Sequence, residues 1–230
     1  MIEEPPVLTV HERRRRPTEA QVRALADVPT GFLADAMEGA GALPHTVRHA
    51  SPGRLPIGFC GPALTCRCGP ADVLAVLGAL AEVRAGDVMV AATGGWTGSA
   101  VIGDRVMGML GNAGGAGFVT DGLVRDLAGI EAVGLPVMCA GTSPNSPFAK
   151  GPGEIGASVR LGDVPIGDGD VIVADESGAV VVPFDRIDAT IERARTVREL
   201  EEALDARVAE GLRVPDDVAE LLASERTRRV

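Results

Sequence analysis

GFVTDGLVRDLAGIEAVGLPVMCAGT, residues 117–142, is the stretch that decides the fold class. It opens with small and apolar residues, as a buried strand does, and a second apolar run follows at 135–142. A short helical pattern at 126–134 separates the two runs. Strands that alternate with helices in this way are typical of a sheet with parallel strands. The stretch therefore predicts an α/β protein.

The same alternation extends towards the N-terminus. The predicted elements there are a strand at 61–68, a helix at 71–83, a strand at 85–92, a glycine-rich loop at 93–104 and a helix at 104–115. That last helix begins at Asp104, and the pair Gly114-Gly115 ends it. We therefore expect a partly parallel sheet covered by helices.

The flanking regions divide the chain into three predicted parts, an N-terminal arm at 1–17, a single domain at 18–211 and a C-terminal tail at 212–230. The domain begins with a helix capped at Thr18, a second short helix ending at Gly41 and a loop at 42–60, and it ends with short β pieces at 159–183 and a long charged helix at 184–211. The arginine run at 13–16 is interpreted as part of a solvated arm, because blocks of like charge are usually disordered or interaction tails.

Composition excludes several classes of protein. A formal net charge of −10 argues against a nucleic-acid binder, which needs a basic patch. An aromatic content of 3% argues against base-stacking platforms. The chain has no apolar span of membrane length, and its N-terminus lacks the order of a signal peptide. We expect a cytoplasmic protein that binds neither nucleic acid nor membrane.

Familiar cofactor and nucleophile motifs are absent. The four cysteines form no CxxC pair and have no histidine at zinc spacing, so we interpret them as small core residues. Neither GxGxxG nor GxxxxGK[ST] occurs, and the glycine-rich loop is therefore expected to allow close approach of backbone to a small ligand, or tight turns.

Asp104 is the first candidate site residue. It begins a predicted helix, so the amides of Arg105 and Val106 would be free to bind an anion such as a carboxylate. The alternative is that Asp104 is a helix N-cap and nothing more.

Arg125 and Asp126 form the second candidate. They follow a predicted strand, at the edge where open α/β sheets bind ligands. An arginine there can hold a carboxylate through two hydrogen bonds, and an aspartate can ligate Mg²⁺. The alternatives are a local ion pair, or Asp126 as the cap of the next helix. The pattern alone leaves both open.

The spacing of these candidates resembles that of one family. Asp104 is followed by twenty residues and then Arg125-Asp126, the pair that ends the stretch GGAGFVTDGLVRD at 114–126. This motif resembles the class II 4-hydroxy-4-methyl-2-oxoglutarate / 4-carboxy-4-hydroxy-2-oxoadipate aldolases, whose superfamily includes the regulator of ribonuclease activity A. The resemblance covers about residues 28–211, with further matches at GPALT (61–65), AGDVMV (85–90), GTSP (141–144) and GDVIVADESGAVVVP (169–183).

The resemblance implies a fold and an assembly. The fold would be a three-layer β/β/α sandwich of the swivelling-domain type, with an N-terminal helical segment and a long C-terminal helix. The chain would form homotrimers or hexamers with active sites between subunits.

The resemblance also implies roles for particular residues. Asp126 would ligate Mg²⁺ or Mn²⁺, Asp104 would hold water at the ion, and Arg125 would bind the oxo acid substrate. The turn Gly103–Val106 would receive the pyruvyl carboxylate on the amides of Arg105 and Val106. A glutamate from the C-terminal helix of a neighbouring subunit would complete the site. Glu199, Glu201 and Glu202 compete for that role, and we take Glu202 as the candidate.

The implied reaction is metal-dependent retro-aldol cleavage of a 4-hydroxy-2-oxo dicarboxylic acid to pyruvate and a second oxo acid. Oxaloacetate decarboxylation would pass through the same pyruvate enolate. A Schiff-base route has little support, because Lys150 is the only lysine and lies in a loop of proline and glycine. The alternative is a non-catalytic regulator that binds a ribonuclease or another protein through a trimeric surface.

Overall fold

The computed structural model of the protein describes residues 6–12 and 15–230. The strands are β1 Leu8–Val10, β2 Arg48–His49, β3 Phe59–Arg67, β4 Val88–Ala92, β5 Ala100–Ile102, β6 Gly117–Thr120, β7 Leu123–Val124, β8 Val137–Cys139, β9 Gly141–Thr142, β10 Gly153–Ile155, β11 Val159–Leu161, β12 Val164–Ile166, β13 Val171–Asp175 and β14 Gly178–Val182. The helices are α1 Glu19–Ala26, α2 Thr30–Ala36, α3 Leu74–Ala79, α4 Asp104–Asn112, α5 Leu127–Val133, α6 Ile187–Ala209 and α7 Asp216–Ala223, with a 3₁₀ turn at Phe184–Arg186.

The central sheet has the strand order β1-β10-β3-β4-β6-β8-β2. Strands β3, β4, β6 and β8 run parallel to one another. Strands β10 and β2 are antiparallel to their neighbours β3 and β8. The expectation of a partly parallel sheet is therefore confirmed.

A second, small sheet continues the central one. Strands β5, β7 and β9 pair in parallel, in that order. Each lies a short loop beyond a strand of the central sheet, with β5 after β4, β7 after β6 and β9 after β8. The carboxyl ends of the three short strands consequently lie side by side.

Alternating side chains of the central sheet enter two cores. In β4, Met89 and Ala91 pack in one core with Leu110 of α4 and Ile130 of α5. Val90, between them, packs in a second core with the strands β11–β14. Successive side chains of a strand point to opposite faces of the sheet. Because both faces are covered here, the strand is a continuous run of buried apolar residues.

A third core lies on the outer side of the β13–β14 hairpin. There the hairpin packs against α1, α2 and the first half of α6. The order of layers is therefore helices α3–α5, central sheet, β11–β14, and the N- and C-terminal helices. The predicted β/β/α sandwich, with an N-terminal helical segment and a long C-terminal helix, is confirmed.

Several predicted element bounds were wrong. The helix expected at 71–83 is only α3, because Ala71 has a positive φ of 55° and the carboxylate of Asp72 accepts the amide of Leu74 at 2.8 Å. The loop expected at 42–60 contains β2, and the glycine-rich loop contains β5. The run at 135–142 is two strands, β8 and β9. These two- and three-residue strands are fixed by distant partners, so local periodicity does not reveal them.

The N-terminal segment contacts the body of the protein. Strand β1 pairs with β10, and Arg15 forms an ion pair with Asp185 at 2.8 Å. Arg16 pairs with the fully buried carboxylate of Asp87 and donates to the carbonyl of Ala85 at 3.0 Å. Residues 13 and 14 of the arginine run lie outside the described residues. The division into arm, domain and tail stays a prediction.

Within residues 6–12 and 15–230, no helix has the length and apolar character needed to cross a bilayer.

The Arg16–Asp87 pair predicts that two arginine-to-alanine variants differ in their free energy of unfolding. Arg16→Ala removes a cation from a fully buried carboxylate, so we expect it to lower the free energy of unfolding by about 2–4 kcal/mol. Arg23→Ala is the matched control, because Arg23 pairs with Glu19 on the exposed surface of α1 and should cost less than about 1 kcal/mol. Urea unfolding followed by circular dichroism measures both, and equal losses would contradict the assignment.

Candidate active site

Three segments of chain meet where the small sheet ends. Gly103 follows β5, Arg125 follows β7 and Ser143 follows β9. The amide of Arg125 donates to the carbonyl of Ile102 at 3.0 Å, and the amide of Ser143 donates to the carbonyl of Val124 at 3.0 Å. These bonds place Asp104 and the pair Arg125-Asp126, which twenty residues separate in the sequence, at one edge of the sheet.

Glycines at two positions allow the candidate side chains to come together. A Cβ atom on Gly103 would lie 2.8 Å from Oδ2 of Asp126 and 3.0 Å from Cγ of Arg125. A Cβ atom on Gly129 would lie 2.5 Å from Oδ2 of Asp104. Asp104 therefore packs against α5 while Arg125 and Asp126 pack against the start of α4. The structure brings all three candidates into one site.

Asp104 is the first residue of α4, and the N-cap is Gly103 in an extended conformation. The alternative interpretation of Asp104 as the N-cap was wrong. Its Oδ1 instead accepts the amide of Arg105 at 2.7 Å. Among the described residues, the amide of Val106 has no hydrogen-bond partner. An anion at this turn can thus bind Val106 directly, and would reach Arg105 by displacing the Asp104 side chain.

Arg125 and Asp126 contact each other side by side. Nε of Arg125 lies 3.1 Å from Oδ2 of Asp126, so the local ion pair is present. Asp126 occupies the N-cap position of α5, but its side chain makes no capping hydrogen bond. Its backbone is left-handed, with φ 56° and ψ 45°, a conformation uncommon for a residue other than glycine. The carboxylate is 46% exposed and can therefore bind a ligand.

Two residues of this region were missed by the sequence reasoning. Oγ of Ser146 accepts a hydrogen bond from Nη1 of Arg125 at 2.5 Å. Asp121 accepts the amides of Thr93 at 2.7 Å and Gly95 at 2.8 Å, and so fixes the glycine-rich loop. The signal for Asp121 was the Thr-Asp-Gly break after β6. No sequence pattern distinguishes Ser146 from its neighbours.

The carboxylates of Asp104 and Asp126 limit the kind of metal that fits. Within residues 6–12 and 15–230, no group of three His, Cys, Asp or Glu side chains could hold a metal ion. A closed zinc site is therefore excluded for this part of the chain. A hard cation such as Mg²⁺ needs only one or two carboxylates and keeps several waters, and the donor set fits such an ion.

Glu199, Glu201 and Glu202 lie on α6, which packs against α1 and α2. Within one chain they are not brought to the site, because Asp104 belongs to the helical layer on the other side of the central sheet. Leu204, three residues after Glu201, shares its side of the helix, whereas Glu202 faces away from Leu200. The choice among the three stays a prediction.

Three of the chain's four thiols, those of Cys60, Cys68 and Cys139, are unsuited to act as nucleophiles. Burial, reinforced by the charge of Asp27, raises the pKa of Cys60 to about 12. Burial, reinforced by the charge of Asp72, raises the pKa of Cys68 to about 12. Burial likewise raises the pKa of Cys139. These thiols stay protonated at neutral pH, in keeping with their interpretation as core residues.

Comparison with known proteins adds the family. A model of the RraA-like family, described as Aldolase/RraA, matches residues 30–181. The chain belongs to this family. The matched residues include the whole Asp104 to Asp126 motif.

Relatives of the RraA-like chain carry different functional names. A Halalkalibacterium halodurans protein named "Putative 4-hydroxy-4-methyl-2-oxoglutarate aldolase" is 33% identical over 185 residues, which is 80% of this chain and 87% of the relative. The structure of RraAS2 from Streptomyces coelicolor, described as an unusual member of the RNase ES inhibitor RraA family, is 30% identical. It matches with a TM-score of 0.72 over 84% of this chain and 100% of that chain.

A third comparison concerns the fold alone. The structure of an uncharacterized protein from Pseudomonas syringae pv. tomato matches with a TM-score of 0.73 at 24% identity. The match covers 86% of this chain and 96% of that chain.

The raised thiol pKa values predict slow alkylation of the native protein. With the pKa moved from 9.0 to about 12, the thiolate of Cys60 is ~10³-fold scarcer at pH 8 than in the unfolded chain. We expect iodoacetamide to modify Cys60 and Cys68 at least ~100-fold more slowly in native protein than in urea, as measured by peptide mass spectrometry. Equal rates in the two states would contradict the burial of these thiols.

Proposed function

We propose that this protein is a divalent-metal-dependent lyase that cleaves a 4-hydroxy-2-oxo dicarboxylic acid to pyruvate and a second oxo acid. Oxaloacetate decarboxylation is proposed as a further activity, because it passes through the same pyruvate enolate. The observation that carries the proposal is the meeting of Asp104, Arg125 and Asp126 in one accessible site. The name of the Halalkalibacterium halodurans relative also supports it.

Arg125 is proposed to hold the substrate at its keto-acid end. An arginine has five N–H donors, and here one contacts Asp126 and one contacts Ser146. The remaining donors include those of Nη2, which can bind a carboxylate or keto oxygen. The free amide of Val106, at the positive end of α4, offers a second place for the substrate carboxylate.

Asp126 is proposed to ligate Mg²⁺ or Mn²⁺, with Asp104 accepting hydrogen bonds from water beside the ion. Such an ion, when bound, would supply positive charge at the keto oxygen where negative charge develops. Arg125 adds its own positive charge at the same end of the substrate. Nε of Arg125 lies 3.1 Å from Oδ2 of Asp126, so one small substrate can contact both the guanidinium and an ion held by Asp126.

Cleavage of the C3–C4 bond also requires removal of the proton from the C4 hydroxyl. Water held by Asp104 is the proposed acceptor of this proton. The carboxylate of Asp104, at the start of α4, packs against Gly129 of α5 and therefore has a defined position. Lys150 lies in an exposed position and its ammonium stacks on Phe148, with 5.5 Å between Nζ and the ring centroid. This exposed ammonium is a poor candidate for a Schiff base, which typically forms on a lysine desolvated in an apolar pocket.

A homotrimer, or a hexamer of two trimers, is proposed as the active assembly. The far half of α6 leaves its apolar side chains uncovered, with Leu200 66%, Leu204 39% and Val208 55% exposed. A neighbouring copy would cover this stripe. We propose that a glutamate of the same helix enters a neighbour's site: Glu201, on the side of Leu204, is placed to enter the copy on the stripe, whereas Glu202, on the opposite side of the helix, would enter the site of a different copy.

The second candidate function is a non-catalytic regulator that binds a ribonuclease or another protein. The similarity to RraAS2 supports it, because RraAS2 is described as an unusual member of the RNase ES inhibitor RraA family. A protein that only binds a partner does not need two carboxylates and an arginine gathered against two glycines. We therefore favour the lyase.

Pyruvate release tests the proposed function. Oxaloacetate and 4-hydroxy-4-methyl-2-oxoglutarate are supplied with and without Mg²⁺, and pyruvate is measured with lactate dehydrogenase. We expect Mg²⁺-dependent release by the parent protein and a loss of at least ~100-fold in kcat/KM for Asp126→Ala, because the metal contributes several kcal/mol. No release by the parent would overturn the lyase proposal. Full Mg²⁺-dependent activity in Asp126→Ala would overturn the metal assignment.

The close contact at Gly103 predicts that alanine substitution there lowers activity more than alanine substitution at Gly108, a second glycine of the same helix region. Gly103→Ala places a Cβ atom 2.8 Å from Oδ2 of Asp126, so we expect kcat/KM to fall about tenfold or more. Gly108→Ala is the matched control, because its Cβ atom would lie 4.0 Å from Cγ2 of Val133, an ordinary contact. Kinetics and thermal unfolding of both variants provide the check, and equal activity in the two would refute the packing role of Gly103.

A further inference from the structure

Arg125 is held from both ends of its side-chain head group. The Nε end contacts Asp126, its neighbour in the sequence. The Nη1 end contacts Ser146, which is twenty-one residues further along the chain. The contact at Nε lies on the axis of the Cδ–Nε bond, so Asp126 alone would leave the guanidinium free to turn about that bond. A contact at Nη1, which lies off this axis, fixes the plane of the group. The second contact therefore decides which way the remaining donors point.

The loop that carries Ser146 is itself fixed at several points. The amide of Ser143 donates to the carbonyl of Val124, and the carbonyl of Asn145 accepts the amide of Ala100 at 3.0 Å. Nδ2 of Asn145 donates to the carbonyl of Gly98 at 3.0 Å. These bonds join the loop after β9 to the strand ends and to the glycine-rich loop.

The far end of the same loop is fixed by Asp72. Oδ2 of Asp72 accepts the amides of Lys150 at 2.7 Å and Gly151 at 2.9 Å. Phe148 and Ala71 are also joined, through the amide of Phe148 and the carbonyl of Ala71 at 2.7 Å. A hydroxyl on a loop that is pinned on both sides has a defined position, so Ser146 can orient the arginine that it contacts.

We infer that Ser146 is a positioning residue for Arg125: its hydroxyl sets the plane of the guanidinium so that the free donors meet the substrate carboxylate. The inference rests on the proposed function for its consequence in catalysis. The contact itself does not depend on that proposal. Ser146 acts through Arg125 and need not touch the substrate.

The size of the effect follows from the role of Arg125. A misplaced binding group lowers the rate of an oriented reaction by up to about 100-fold. Because Arg125 is proposed to hold the substrate both before and during the reaction, loss of the guanidinium's orientation raises KM more than it lowers kcat. We expect Ser146→Ala to lower kcat/KM by roughly tenfold to a hundredfold, with most of the change in KM.

Three further variants separate positioning from a general loosening of the loop. Ser146→Thr keeps the hydroxyl and should restore kcat/KM to within about threefold of the parent. Ser143→Ala removes a hydroxyl from the same loop and should keep near-parent kinetics. Within residues 6–12 and 15–230, the hydrogen bond of this hydroxyl is with the amide of Asn145, at 3.3 Å. In Arg125→Lys, which has no planar fork to orient, adding Ser146→Ala should cause no further loss.

A measurement that does not depend on activity completes the test. The Nε–H group of Arg125, assigned by its absence in Arg125→Lys, is observed by NMR in the parent and in Ser146→Ala. We expect a single sharp signal in the parent and an averaged or broadened one in Ser146→Ala, while the thermal midpoint changes by less than about 3 °C.

The outcomes of kinetics and NMR are distinguishable. If the parent releases no pyruvate but its Nε–H signal depends on Ser146, the proposed function fails and the positioning role stands. If the parent is active and Ser146→Ala matches it in both kinetics and NMR, the positioning role is overturned and the proposed function stands. An equal further loss in the Arg125→Lys background would also overturn it.

Discussion

Two backbone hydrogen bonds between parallel strand ends are the constraint on which the site depends. They run from the amide of Arg125 to the carbonyl of Ile102 and from the amide of Ser143 to the carbonyl of Val124. Through them, the three chain segments that leave β5, β7 and β9 lie next to one another. The larger sheet and its two buried faces hold these short strands in place, since strands of two or three residues have little stability of their own.

Close packing then determines which side chains the three segments can present. Gly103 and Gly129 remove the Cβ atoms that would otherwise collide with Asp126 and Asp104. Asp126 in turn adopts a left-handed backbone, a conformation that costs of order 1 kcal/mol and persists only where the surroundings enforce it. A strained aspartate beside an arginine, with its carboxylate left accessible, is typical of a functional site rather than of a stabilising surface pair.

The partly parallel sheet could be predicted from the alternation of apolar runs and helical patterns along the chain. The β/β/α sandwich and the grouping of Asp104, Arg125 and Asp126 followed instead from the resemblance of their spacing to one family, because the pattern of these residues alone left local roles open. Short strands such as β5 and β9 were not predicted, since their partners are distant in the chain. The role of Gly103 as the N-cap of α4 was not predicted, because the need for a residue without a side chain appears only when the start of α5 is packed against it. The contact of Ser146 with Arg125 was not predicted either, because the two residues lie far apart in the sequence and are brought together only by the fold.

Mn²⁺ binding, measured from the electron paramagnetic resonance signal of the free ion with and without pyruvate, tests most directly whether these residues form one metal and oxo-acid site. We expect the parent to bind Mn²⁺ and pyruvate to tighten that binding, because pyruvate oxygens would ligate the ion while Arg125 holds the same molecule, and the resulting coupling is reciprocal. Asp126→Ala should lose Mn²⁺ binding, and Arg125→Ala should keep Mn²⁺ but lose the effect of pyruvate. Unchanged Mn²⁺ binding in Asp126→Ala, or a pyruvate effect that survives Arg125→Ala, would contradict the shared site.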